Sequence, residues 1–317
     1  MSLNVWGLPE RYGGKLKEER INAIARQVSR GSFDVYLLQE LWMEKDHAKI
    51  VASLKKGYYM TGFRQFTPKS GRFLDRCDGI FSPVECSGLA IISKYPFKEV
   101  QFNAFSDRGD ETKALIDAEV VAAKGAGRVR IEPIKNLTMD IFTTHLIADP
   151  QAQFSYNNTI FREKQSSQLM NEWVLRSNAD VVLLGGDFNT TPDTEESSIY
   201  QMIRRKMKNA AEEMHSKMSR WLKEDFSTYA NPSNTFKIGK WLTSGTTSSI
   251  IDYIFWRETN PSKTKVGISS FYLPSYKTLV PNLKQGAPAF RKFLNTGIKD
   301  VSTPHEIKHH IQLSRGV

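Results

Sequence analysis

The sequence predicts an α+β fold in which a pair of mixed β-sheets is covered by helices. Two patterns predict it. Short β-branched and apolar runs alternate with longer amphipathic stretches, as when strands and helices are interleaved. Several of the runs are joined by hairpin-like breaks, which mixes antiparallel with parallel pairing. No internal repeat, low-complexity tract or linker interrupts residues 1–317, so one domain is expected over the whole chain.

The elements can be taken in order. Met1 to Trp6 reads as the last part of a strand whose first half is missing; either the strand is short or the chain starts inside a longer precursor. Phe33 to Gln39 is a buried strand that runs into the carboxylate of Glu40. Gly88 to Ser93 is another, stopped by Lys94-Tyr95-Pro96. Leu115 to Val121 and Arg128 to Ile131 flank a Lys124-Gly125-Ala126-Gly127 turn and read as a hairpin. Met139 to Thr144 ends on His145. Phe161 to Arg176 has helical spacing, with Leu169 and Trp173 on one face. Asp180 to Gly186 is the clearest buried strand and ends on Asp187. Gln201 to Arg220 reads as a basic surface helix, and Ser249 to Trp256 as a last apolar strand containing Asp252.

The 317 residues include 40% hydrophobic side chains, enough for a full core, which excludes disulfide-scaffold, collagen-like and disordered classes. Forty-four Lys and Arg against 34 Asp and Glu give a net charge of +10. That balance suits an anionic partner, either nucleic acid or an acidic membrane surface, and serves solubility equally well. There is no apolar run of about 18 residues, so no bilayer-spanning helix is expected, and no leader pattern opens the chain. Cys77 and Cys86 flank a loop with Gly79 and Pro83 that would let them close a small disulfide ring, as in a secreted protein; two thiols in a cytosolic protein is the alternative. Short glycosylation matches occur at Asn136, Asn157 and Asn189.

Polar residues recur where buried strands end: Asn4, Glu40, His145, Asp187 with Asn189, and Asp252. Any one of them alone would pass for a loop residue. Strand ends in a packed sheet converge on one rim, where carboxylate and amide oxygens can hold a hard cation such as Mg²⁺. Histidines beside such a site can transfer protons and stabilise charge. Zinc-type Cys/His spacing, a phosphate-binding glycine loop and a nucleophile elbow are all missing from the sequence. The reaction class left is metal-assisted hydrolysis of a phosphoester by water.

Leu3-Asn4-Val5-Trp6-Gly7-Leu8-Pro9, Leu38-Gln39-Glu40, Thr144-His145-Leu146, Gly186-Asp187-Phe188-Asn189 and Ile251-Asp252-Tyr253 occur in one order along nearly the whole chain. In that order they resemble the endonuclease/exonuclease/phosphatase superfamily, which includes DNase I. Asn4 to Pro9, Ser87 to Pro96, the Lys124-Gly125 pair and Phe271 to Lys284 are most similar to neutral sphingomyelinases within it. The resemblance implies a four-layer α/β/β/α sandwich and a Mg²⁺ cofactor. It implies Glu40 as principal metal ligand, with Asn4 beside it on metal or phosphate. Asp187 would position water or protonate the leaving group, and Asn189 would hold a phosphate oxygen. His145 would hydrogen-bond the phosphoryl group, Lys124 would neutralise phosphate charge, and Asp252 would orient the catalytic base.

That base is assigned to His305, in Asp300-Val301-Ser302-Thr303-Pro304-His305-Glu306. Here the sequence departs from the family: Pro304 stands where the metal-side aspartate belongs, and proline offers no side-chain oxygen. Asp300 is a substitute only if the loop is rearranged, and His309 and His310 are rival bases. The short stretch after His305 leaves the C-terminal end a candidate for truncation. The function implied is a sphingomyelin phosphodiesterase, secreted and acting peripherally on sphingolipid in a membrane surface, with Trp6, Trp42 and Phe81 at the rim either touching lipid or packing in the core. A DNase I-like nuclease acting on nucleic acid and a catalytically weakened binding protein are the alternatives, and the oligomeric state is open.

Overall fold

Side chains alternate faces along a strand, so each strand serves two layers at once. The computed structural model describes residues 1–8, 16–67, 86–113, 118–149, 157–190, 197–215, 251–261, 264–268 and 311–315. One sheet contains β1 (Ser2–Asn4), β2 (Val35–Gln39), β3 (Tyr59–Met60) and β4 (Ala90–Ser93), in the order β1-β2-β4-β3. The second contains β5 (Glu99–Ala104), β6 (Gly125–Ile134), β7 (Leu137–His145), β8 (Val181–Asp187), β9 (Lys208–Asn209) and β10 (Asp252–Glu258), in the order β5-β6-β7-β8-β10-β9. Both are mixed: β1 is parallel to β2 and β7 to β8, while β4 and β10 run antiparallel to their neighbours. A further antiparallel pair joins β11 (Thr264–Ile268) to β12 (Ile311–Arg315).

The layers follow from that alternation. Leu37 and Ile91 point inward and meet Val129, Ile131, Ile141, Val181, Leu183 and Trp256 of the facing sheet. Tyr36, Leu38, Ala90 and Ile92 point outward onto α1 (Lys17–Arg30) and α2 (Glu44–Ala52), where Ile21, Ile24, Val28 and Ile50 close the layer. On the far side Phe142, Val182, Leu184 and Phe255 pack against α5 (Ser197–Arg204) and against Leu169, Met170 and Val174, which continue α4 (Thr159–Gln168). The result is the four-layer α/β/β/α sandwich that the sequence implied. Gln39 is a polar exception in the inner layer, and its Nε2 donates to Thr143 Oγ1 across the two sheets at 3.1 Å. Among the described residues no helix is long and apolar enough to cross a membrane.

Three local readings are corrected. The glycines after Lys124 form no turn: Gly125 to Ile134 is one strand, the hairpin turns at Lys135-Asn136, and Ala118–Val121 is a short helix, α3. A Cβ at Gly125 would stand 2.2 Å from Asn103 O, and one at Gly127 would stand 2.3 Å from the Phe66 ring, so these glycines admit close neighbours. Asn136 takes the left-handed turn at φ 61°. The expected helix from Gln201 is broken by β9, which pairs with β10, before α6 (Ala210–His215); Ile203 and Met207 lie in the core, so it is no simple surface helix. The helix at Phe161 begins earlier, at Thr159, and continues from Leu169 to Val174 as a π-helix.

Gly186 shows how little slack lies under the rim. Its φ is 154°, and a Cβ there would lie 2.0 Å from the Thr144 carbonyl oxygen of the neighbouring strand. Gly186→Ala is expected to lower unfolding free energy by about 2–3 kcal/mol or more, the cost of overpacking a rigid strand pair. Urea denaturation checks this. An unmoved midpoint would contradict it.

Candidate active site

The rim is set by strand direction. Asn4 ends β1 and Glu40 follows β2, while His145 and Asp187 end β7 and β8. β10 runs the other way, so its first residue, Asp252, reaches the same edge; the register pairs Asp187 with both His145 and Asp252. Five of the sequence-predicted residues therefore lie at the ends of strands on one edge, and Asn189 stands two residues past Asp187. His305, with Pro304, Asp300, His309 and His310, lies outside the described residues, as do Cys77 and Phe81.

Asn4 joins the two carboxylates. Its Oδ1 accepts the Trp6 backbone N–H at 2.9 Å, which fixes the amide orientation. Its Nδ2 then donates to Glu40 Oε1 at 2.6 Å and to Asp187 Oδ2 at 2.9 Å. Asp187 Oδ1 accepts the Asn189 backbone N–H at 3.0 Å. Trp6, Glu40 and Asn189 all have left-handed backbone, at φ 48°, 58° and 49°. Each such non-glycine conformation costs on the order of 1–3 kcal/mol and needs surrounding support. Gly7 supplies part of it: its N–H donates to Glu40 O at 2.9 Å, and a Cβ there would sit 2.3 Å from that oxygen.

A second group forms behind His145, which is 2% exposed. Its Nε2 lies 4.0 Å from Asp187 Oδ2 and 3.2 Å from Lys124 Nζ. Lys124 Nζ also donates to Leu146 O at 2.8 Å and pairs with Glu119. An ammonium has three N–H groups, and these three contacts engage all of them. Lys124 is 1% exposed, so it meets His145 from inside the protein. The sequence reading missed Glu119. Its one signal was an acid five residues before a lysine already singled out. Trp42 is buried against the His145 ring, with centroids 6.2 Å apart, so it packs in the core. Trp6 is half-buried beneath the Arg20 guanidinium.

Electrostatics favour a cation at this edge. Desolvation raises the Glu40 carboxyl above its ordinary value, and the charges of Glu119 and Asp187 push it the same way. The Asn4 hydrogen bond and Lys124 act in opposition. Among the described residues no set of three or more His, Cys, Asp or Glu side chains forms a ready metal cage. Mg²⁺ commonly binds through only one or two carboxylates, with water and phosphate oxygens completing its shell. Two carboxylates held to one amide, in a site that already resists their joint ionisation, fit that donor set.

The profile of the Endonuclease/Exonuclease/phosphatase family matches residues 1–276, and the chain belongs to that family. Among curated proteins it is similar to a putative neutral sphingomyelinase of Drosophila melanogaster, 27% identical over 61% of this chain and 39% of the fly protein. It is also similar to an inositol phosphosphingolipids phospholipase C of Schizosaccharomyces pombe, 26% identical over 61% of this chain and 41% of the yeast protein. The aligned region thus spans about two fifths of each relative's length. In fold it is similar to sphingomyelinase C from Streptomyces griseocarneus, with TM-score 0.57, 17% identity and coverage of 87% and 91% of the two chains. A beta toxin mutant from Staphylococcus aureus with bound magnesium ions gives TM-score 0.55 at 18% identity, covering 86% and 88%. D. rerio TDP2 complexed with a single-strand DNA product gives 0.56 at 13%, covering 86% and 90%.

Proposed function

We propose that the chain is a Mg²⁺-dependent phosphodiesterase that hydrolyses sphingomyelin to ceramide and phosphocholine. The observation that carries the reading is the Asn4 bridge between Glu40 and Asp187, with His145 4.0 Å from the second carboxylate. The sphingolipid-directed names of its relatives support the substrate class. In this reading Glu40 holds the cation, with Asn4 beside it. Mg²⁺, when bound, supplies charge neutralisation at a phosphoryl oxygen and acidifies water.

The chain's own residues do the rest. Asp187 orients the attacking water or protonates the leaving group. Asn189 donates one amide N–H to Leu146 O at 2.9 Å and keeps the other for a phosphate oxygen. Lys124, donating to His145 Nε2, would fix the Nδ1–H tautomer and lend positive charge from behind the ring, so its effect on the phosphate is indirect. A fixed donor in a water-poor pocket stabilises developing charge without reorganising. Asp252 orients His305, the assigned base. The basic surface assists approach to anionic lipid, where each Lys or Arg near the membrane contributes about 1 kcal/mol. Secretion belongs to the same proposal and rests on a Cys77–Cys86 bridge.

A nuclease is the second reading, favoured by the +10 charge and by the DNA-bound structural neighbour. Sphingomyelin vesicles and plasmid DNA, each with Mg²⁺ or EDTA, separate the two. Phosphocholine release that requires Mg²⁺ is the expected result. Plasmid cleavage without phosphocholine release would transfer the assignment to nucleic acid. Vesicle binding with no hydrolysis of either substrate would leave a binding protein on the same scaffold.

A further inference from the structure

The four residues after β7, Leu146 to Asp149, have no regular structure, yet each backbone polar group from Leu146 N to Ala148 O has a partner. Leu146 N donates to Asp187 O at 3.0 Å. Leu146 O accepts from both Lys124 Nζ, at 2.8 Å, and Asn189 Nδ2, at 2.9 Å. Ile147 N donates to Gln165 Oε1 at 2.9 Å, and Ile147 O accepts from Arg162 Nη1 at 3.0 Å. Ala148 N donates to Glu119 Oε2 at 2.7 Å, and Ala148 O accepts from Asn158 Nδ2 at 2.7 Å. Arg162 Nη2 also donates to Asp149 Oδ2 at 2.8 Å, while Gln165 Nε2 ties the helix to Asp107 O at 2.8 Å.

Arg162 and Gln165 are both 0% exposed. Burying a guanidinium is expensive unless it is paired and hydrogen-bonded, and its fork suits two acceptors held in fixed relation. Here those acceptors are the Ile147 carbonyl and the Asp149 carboxylate. Through the loop they set the position of the Leu146 carbonyl, an acceptor that Lys124 and Asn189 share.

We propose that Arg162 and Gln165 of α4 are positioning residues, which clamp the Leu146–Asp149 loop and thereby fix His145, Lys124 and Asn189 in their working arrangement. The kinetic part rests on the phosphodiesterase reading above. A displacement of about 1 Å at a reacting group can cost on the order of 100-fold in rate, so a loosened clamp should reduce turnover more than substrate binding.

The test uses Gln165→Met, which keeps length but removes the acceptor for Ile147 N–H. Asp149→Asn is the second variant, at a half-exposed position: Asp149 accepts from Arg162 Nη2 and from the Asn158 backbone N–H, so the new amide N–H₂ must face one of these two donors. Hydrolysis of sphingomyelin in detergent micelles with Mg²⁺ is measured, and the His145 ring signals are followed by NMR. For Gln165→Met kcat is expected to fall about 10- to 100-fold with KM within about twofold, and for Asp149→Asn about three- to tenfold. The His145 signals should move in both. Variants that fold, keep wild-type kcat within about twofold and leave the His145 signals in place would overturn the proposal. Turnover absent from wild-type protein would instead remove the phosphodiesterase reading, and the His145 signals alone would then decide on the clamp.

Discussion

Glu40→Gln is expected to eliminate Mg²⁺-dependent hydrolysis, by about 100-fold or more, while making the metal-free protein more stable at neutral pH. The first effect follows from charge: a neutral amide cannot hold the cation, and the charge stabilisation that a metal supplies amounts to several kcal/mol, with each 1.4 kcal/mol a factor of about ten in rate. The second follows from the raised Glu40 carboxyl. Such a group holds its proton more tightly folded than unfolded. Stability is therefore lost as pH rises from the ordinary carboxylate range through the raised value, and above that range the carboxyl group burdens the fold. Glutamine keeps an oxygen for Asn4 Nδ2 and removes that burden. Thermal unfolding should show a higher midpoint for the variant than for wild type in EDTA, and a Mg²⁺-dependent rise only in wild type. Retention of more than about a tenth of wild-type activity would refute the metal assignment.

Asp187→Asn should reduce kcat by about 1,000-fold, within the range associated with losing a positioned acid–base group. Both carboxylate oxygens accept hydrogen bonds, one from Asn4 Nδ2 and the other from the Asn189 backbone N–H. An asparagine has only one oxygen to offer. Whichever way its amide is turned, its N–H₂ faces a donor, and a buried donor is left without an acceptor. That costs about 1–3 kcal/mol, so the variant should also unfold at lower urea. Activity within about tenfold of wild type would place the chemistry elsewhere.

Those residues were legible because strands advertise their ends. Buried strands such as Val181 to Asp187 end on a charged residue, and the fold then brings those ends together. Asp252 was legible for the same reason, although it opens its strand: β10 is antiparallel to β8, so its beginning lies beside the end of β8. Periodicity is blind to what lies behind the rim. Glu119, Arg162 and Gln165 carry no apolar signal, and their importance comes from contacts across the chain, such as Ala148 N to Glu119. The glycines at 125 and 127 misled because glycine marks both turns and close approaches; only the Asn103 carbonyl and the Phe66 ring, distant in sequence, decide between the two. The break after Arg204 is set by β9 pairing with β10, a partner far along the chain.

The central claim is that the strand-end carboxylates bind Mg²⁺ as one centre. Calorimetric titration of Mg²⁺ into the wild-type chain and into Glu40→Gln tests it most directly. Metal must displace the proton that the desolvated Glu40 carboxyl tends to keep, so at mildly acidic pH the binding heat should vary with the ionisation heat of the buffer. The expected result is saturable binding with proton release in wild type, and none in the variant. Equal Mg²⁺ binding by both proteins, or no binding by either, would contradict the account.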